Sequence, residues 1–208
     1  MKGLVLKDLY MAAKYCRSYL IVTAVFFAVS LFSSENFFFI FYPSVLCGMI
    51  PVNLIAYDER SRWSQYCRTM PYKVSQIVGS KYLIGLMAQL AVLVLMCGSQ
   101  AIKACINGSF QLGSFLSLAA ILMCLSLASS GLCLPFIFRF GVEKGRLAYF
   151  AVVGAGCALA VLLSSDMIVD ASAKIDMGIF SPVLLLVAVA VYALSWVISV
   201  GVYKKRVV

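Results

Sequence analysis

The chain is 208 residues long, 63% of them hydrophobic and 12% charged, with a mean hydropathy of +1.01. Soluble domains are roughly 45–50% apolar, so an ordinary soluble fold is excluded. The formal charge of +9 raises nucleic acid as a partner, but the placement of the basic residues along the chain argues against it.

The first 17 residues predict an interfacial helix. Leu6, Leu9, Tyr10 and Ala13 follow i, i+3, i+4, i+7 spacing, while Lys7, Lys14 and Arg17 gather on another face. A plain cytoplasmic extension of the first span is the alternative. Six apolar stretches follow, at 18–33, 37–56, 76–99, 113–138, 147–165 and 179–202. About 20 apolar residues cross a hydrocarbon core of about 30 Å, so each is expected to be a membrane helix. The first is short and follows basic residues, as in a signal peptide. No small-x-small cleavage site comes after it; Ser33, Ser34, Glu35 and Asn36 read as a tight outer turn, and the helix is expected to be retained. In the second span Pro43, Gly48 and Pro51 predict kinks, with Asn53 placed to bond a freed carbonyl.

Ser126, Ser129, Ser130 and Gly131 in the fourth span allow helices to approach closely. So do Gly154, Ala155, Gly156, Ala158 and Ala160 in the fifth. Packing within the subunit and a seam between subunits both fit. Polar residues inside the spans are few: Gln89, Gln100 and scattered serines. No Asp, Glu, Lys or Arg falls mid-membrane, which argues against a pump or ion-coupled carrier that moves charge through its own residues.

Read as six spans with both termini on one side, the chain places 15 of its 17 basic residues there. They are Lys2, Lys7, Lys14 and Arg17; Arg60, Arg62, Arg68, Lys73 and Lys81; Arg139, Lys144 and Arg146; and Lys204, Lys205 and Arg206. With Asp8, Asp58, Glu59 and Glu143 that side carries +11. The other carries −2, from Glu35, Asp166, Asp170 and Asp176 against Lys103 and Lys174. Lys/Arg excess marks the cytoplasmic face. Both termini are therefore expected inside, and the charge is a sorting signal.

The 8 cysteines form no CxxC pair, and histidine is absent. Most fall within spans, where a thiol serves as a small hydrophobe; a Cys97–Cys105 disulfide near the outer face is left open. No GxxxxGK[S/T] loop, HExxH or GxSxG occurs. Nothing in the chain hydrolyses a nucleotide or cleaves an acyl group by those routes, and a membrane enzyme is the least favoured reading.

The cytoplasmic segment between the second and third spans carries the most information. Asp58 and Glu59 suit the positive start of a helix, and Pro71 suits its stop. Between them Trp63, Tyr66, Cys67 and Met70 make one apolar stripe, and Asp58 stands four residues before Arg62. A short amphipathic helix over 57–72 is predicted, its stripe buried against either the membrane interface or a protein.

The order Tyr57-Asp58-Glu59, Trp63, Met70-Pro71, Ile77-Val78, Ser80-Lys81-Tyr82 resembles that of the ABC-2 type permeases, in particular the short six-span bacterial ones. The resemblance implies an all-α integral membrane protein, a single permease domain over 1–208 in the bacterial plasma membrane. It implies that the 57–72 helix is a coupling helix seated in a groove of a separately encoded ATP-binding-cassette ATPase. Asp58 and Glu59 match its acidic opening, Trp63 its apolar body and Pro71 its stop, with Arg62, Tyr66, Cys67 and Met70 between. Lys81 and Tyr82 match the entrance to the third span. ATP and magnesium would then bind the partner, with no cofactor on this chain. A second permease, identical or related, would complete the pathway. The substrate would be hydrophobic or amphipathic, a peptide by similarity to peptide and toxin exporters. Residues 166–178 are too few for the re-entrant hairpin of larger exporters. A sensor or immunity protein that sequesters a toxic peptide without transporting it is the competing reading.

Overall fold

A computed structural model describes residues 2–15, 17–32, 38–69, 72–106, 112–163 and 177–207. The outer turn read at 33–36 lies outside them, as do residues 166–176 of the connection read at 166–178, and Met70 and Pro71. Regular structure among the described residues is helical throughout: α1 (Lys2–Tyr15), α2 (Arg17–Phe32), α3 (Phe38–Gly48), α4 (Ile50–Arg60), α5 (Trp63–Thr69), α6 (Val74–Ile106), α7 (Leu112–Phe140), α8 (Val142–Leu163) and α9 (Met177–Val207).

Four stretches of described residues are long and apolar enough to cross a bilayer: Phe39–Arg60, Val74–Cys105, Phe115–Phe140 and Val183–Lys205. The chain is a multi-pass membrane protein. These four match the second, third, fourth and sixth predicted spans. The first predicted span is α2, whose 16 residues rise only about 24 Å at 1.5 Å each. It becomes a fifth candidate only when joined to α1, from which it bends by 63°. The predicted fifth span lies largely in α8.

One predicted break is present, at Gly48. Pro43 stays inside α3, whereas α3 ends at Gly48 and α4 begins with Pro51 in its first turn, where a missing N–H is no loss. Asn53 Nδ2 donates to Met49 O at 3.1 Å, but that carbonyl also accepts the Asn53 backbone N–H at 3.2 Å and is not one that proline frees. Close approach also sets the corner between α7 and α8. Gly141 adopts φ 83°, the left-handed conformation that favours glycine at a helix end. A Cβ on Gly145 would stand 2.7 Å from Ile137 Cα, inside backbone.

The core has two parts. Val52, Val78, Leu127, Leu134, Ile137 and Tyr192 fill one; Ile50, Leu54, Ile84, Met96 and Leu122 fill the other. Polar side chains cross between helices within it. Tyr82 Oη lies 2.8 Å from Ser195 Oγ and 2.7 Å from Ser199 Oγ, and Gln89 Nε2 donates to Ser130 Oγ at 2.7 Å. Such bonds join helices where lipid offers no competing partner. Cys97 and Cys105 are both free thiols.

α1 packs against the protein with the face opposite its predicted apolar stripe. Leu6, Leu9 and Tyr10 are exposed, while Leu4 and Asp8 are buried. The expected apolar stripe faces away from the protein, as an interfacial helix requires. The opposite face, which carries a carboxylate, packs inward.

Candidate functional site

The second span does not stop where the sequence suggests. No glycine or proline lies between Val52 and Arg60, so α4 runs on through Asp58 and Glu59, which occupy its last turn. The predicted single helix over 57–72 is thereby corrected to two pieces. Ser61 and Arg62 make the turn between them, Arg62 at φ 53°, a conformation costly for a residue with a Cβ. α5 then supplies 7 residues.

Carboxylates at a helix C-terminus oppose its dipole, and each of these two is compensated from elsewhere. Glu59 Oε2 accepts the Val142 N–H at 3.2 Å, which places it at the positive end of α8. Asp58 meets two lysines: Lys7 Nζ lies 2.7 Å from Oδ1, and Lys81 Nζ 2.5 Å from Oδ2. The expected Asp58–Arg62 pair does not form, because the turn carries Arg62 out to the surface.

A second carboxylate closes the ring. Asp8 Oδ1 lies 2.7 Å from Lys81 Nζ and 3.3 Å from Lys7 Nζ, and Ser80 Oγ donates to Asp8 Oδ2 at 3.0 Å. Asp8 is 0% exposed and Lys81 3%. Two ammonium groups and two carboxylates thus alternate in a neutral quartet drawn from α1, α4 and α6. Lys81 does not snorkel to the interface, as an isolated lysine at a span's end would. Withdrawing charge from water is costly, and removing one partner of a buried pair costs about 3–5 kcal/mol. Loss of any one member therefore leaves the opposite charge in excess.

α5 rests on this quartet. Lys7 Nζ sits 4.0 Å from the centre of the Trp63 ring, a cation–π contact. Cys67 is 4% exposed. Burial pushes its thiol above the ordinary range; Lys7 and Lys81 pull it down, and Asp58 and Asp8 push it up. Tyr66 points the other way, 63% exposed. The predicted stripe is therefore split: Trp63 and Cys67 face the protein, Tyr66 faces out, and Met70 lies outside the described residues. Trp63 Nε1 is buried with no hydrogen-bond partner among the described residues.

A second polar junction stands beside the quartet. Arg146 donates to Asn53 Oδ1 at 2.6 Å, and Asn53 Nδ2 donates to Tyr19 Oη at 2.8 Å. The Tyr15 and Tyr57 rings stack 4.3 Å apart. Asp58, Trp63, Cys67 and Lys81 of the predicted site are thus brought together. Glu59 is turned toward α8, and Tyr82 toward α9 in the bundle core. The sequence reading missed Lys7, Asp8, Asn53 as a junction, and Arg146. One signal was present: Asp8 shares a helical face with Leu4 and Met11. The arrangement links a short surface helix to three longer ones.

Residues 3–204 match the model of a family described as ABC-2 family transporter protein. No curated protein and no solved structure gives a match.

Proposed function

The chain belongs to the ABC-2 family of transporter proteins, and from that premise we propose that it is the permease subunit of an ATP-binding-cassette exporter driven by an ATPase on a separate chain. The observation that carries this reading is the cytoplasmic corner, where a short helix with one exposed aromatic is braced by buried charge against the ends of the spans. A helix held in this way can pass a push from outside into the bundle, a rigid-body coupling.

In this reading α5 is the coupling helix. Arg62 and Tyr66 face the ATPase, and Trp63 and Cys67 are its inner seat. Asp58 and Lys81 anchor it, Glu59 ties it to α8, and Tyr82 fixes the third span below. ATP and magnesium bind the partner. A second permease, identical or related, completes the pathway. The six spans lie in a bacterial plasma membrane with both termini inside, supported by the distribution of basic residues. The substrate is hydrophobic or amphipathic, a peptide as first choice. An apolar groove of about 440 Å³ between α6 and α9, lined by Leu83, Leu86, Tyr192 and Trp196, supports a ligand with apolar surface.

The test is co-purification of the tagged chain with an ATP-binding-cassette ATPase from the cells that express it. Tyr66→Ala is expected to weaken retention by on the order of tenfold, since exposed aromatics anchor such interfaces. Wild-type chain that retains no ATPase under any condition would sink the exporter reading and favour a sequestering membrane protein.

A further inference from the structure

We propose that Asp8 is a positioning residue for α5: through Lys7 and Lys81 it holds the quartet closed, so that α1 is the seat on which α5 is docked and moves. The inference deepens the reading of α5 as a coupling helix and rests on it.

Three observations converge. Asp8 is the most deeply buried member of the quartet and touches both lysines, although 73 residues separate it from Lys81. Lys7 reaches past it to two other elements, bonding Asp58 at the end of α4 and lying over Trp63 at the start of α5. Removing the Asp8 charge leaves two ammonium groups sharing one carboxylate. Lys7, 24% exposed at its side chain, is the member free to swing toward water, and it would leave the Trp63 face as it goes. The connection to α4 is already bent through a left-handed residue, Arg62. α5 is too short to hold itself as a helix. Its place depends on what lies beneath it.

Cys67 reports on this directly. It is buried on the inner side of α5, and cleavage after Arg62 and Arg68 releases it in the six-residue peptide Trp63–Arg68, so its alkylation can be quantified in the whole native chain. Labelling is measured at one fixed pH on the detergent-solubilised chain. Asp8→Asn is expected to raise the labelling rate of Cys67 by about tenfold or more, as local opening becomes easier. The double variant Asp8→Asn/Lys81→Met leaves the Lys7–Asp58 pair alone and neutral. It is expected to return the rate to within about threefold of wild type. If Asp8→Asn does not fold, Lys7→Gln replaces it, since its side chain reaches the surface, and the same rise is expected. Wild-type labelling in either folded single variant would overturn the proposal, as would a double variant no slower than Asp8→Asn. No ATPase enters this measurement. A positive result with no ATPase retained on co-purification would sink only the exporter reading. The reverse pattern would sink only the role of Asp8.

Discussion

Asn53 uses both of its amide hydrogens and its oxygen, on Tyr19, Met49 and Arg146. Asn53→Leu keeps the volume and strands the guanidinium and the phenol, so stability should fall by about 1–3 kcal/mol, read as a lower midpoint of thermal unfolding in detergent. An unchanged midpoint would mean that water replaces the amide at no cost. Cys67 offers a second test at the same scale. Burial raises its pKa in the folded chain, so the thiol favours its protonated form there. The stability this contributes is fully present below the unfolded thiol value and is lost as pH rises past it toward the folded value. The pH profile of Cys67 alkylation should accordingly have its midpoint above the ordinary 9.0 in the folded chain, and near it once the chain is unfolded.

Among elements, the α7–α8 corner makes the sharpest comparison. Gly145→Ala drives a methyl into Ile137 backbone at 2.7 Å, and backbone cannot step aside as a side chain can. A loss of about 1–3 kcal/mol is expected. Gly98→Ala, with nothing within 4 Å of its Cβ, should be neutral or slightly stabilising, because alanine favours the helix. Equal midpoints for the two variants would contradict the packing described here. The same scale shows what the sequence could reveal. α6, α7 and α9 were legible because long apolar runs leave little choice in a bilayer. The corner at 57–63 was not. Acidic residues beside a basic run look like a helix start when only neighbours are considered, but a span already in progress carries its helix through them unless glycine or proline intervenes. The partners that make this tolerable, Lys7 and Lys81, lie 51 residues before Asp58 and 23 after it. No local spacing announces them.

For the whole molecule, the uneven distribution of basic residues remains the strongest guide to orientation. On a cysteine-free background, Tyr66→Cys, at an exposed position of α5, should be labelled by an impermeant thiol reagent in inverted membrane vesicles and not in intact cells; labelling from outside the cell would reverse the assignment. The quartet has a further consequence at this scale. Two positive and two negative charges in alternation have no net charge, and their field fades within a few ångströms. Dissolved ions cannot enter a buried site to screen it, whereas the exposed cations at Arg60, Arg62 and Lys73 stand in water, where salt screens their field over a Debye length of about 10 Å at 0.1 M. Ionic strength should therefore act on this chain unevenly. A high-salt wash is expected to strip a partner held by the basic surface while leaving Cys67 as protected as before, and the partner should rebind when salt is removed. On the proposed reading of α5 as a coupling helix, the joint beneath it is thus insulated from the conditions that govern whether a partner is bound.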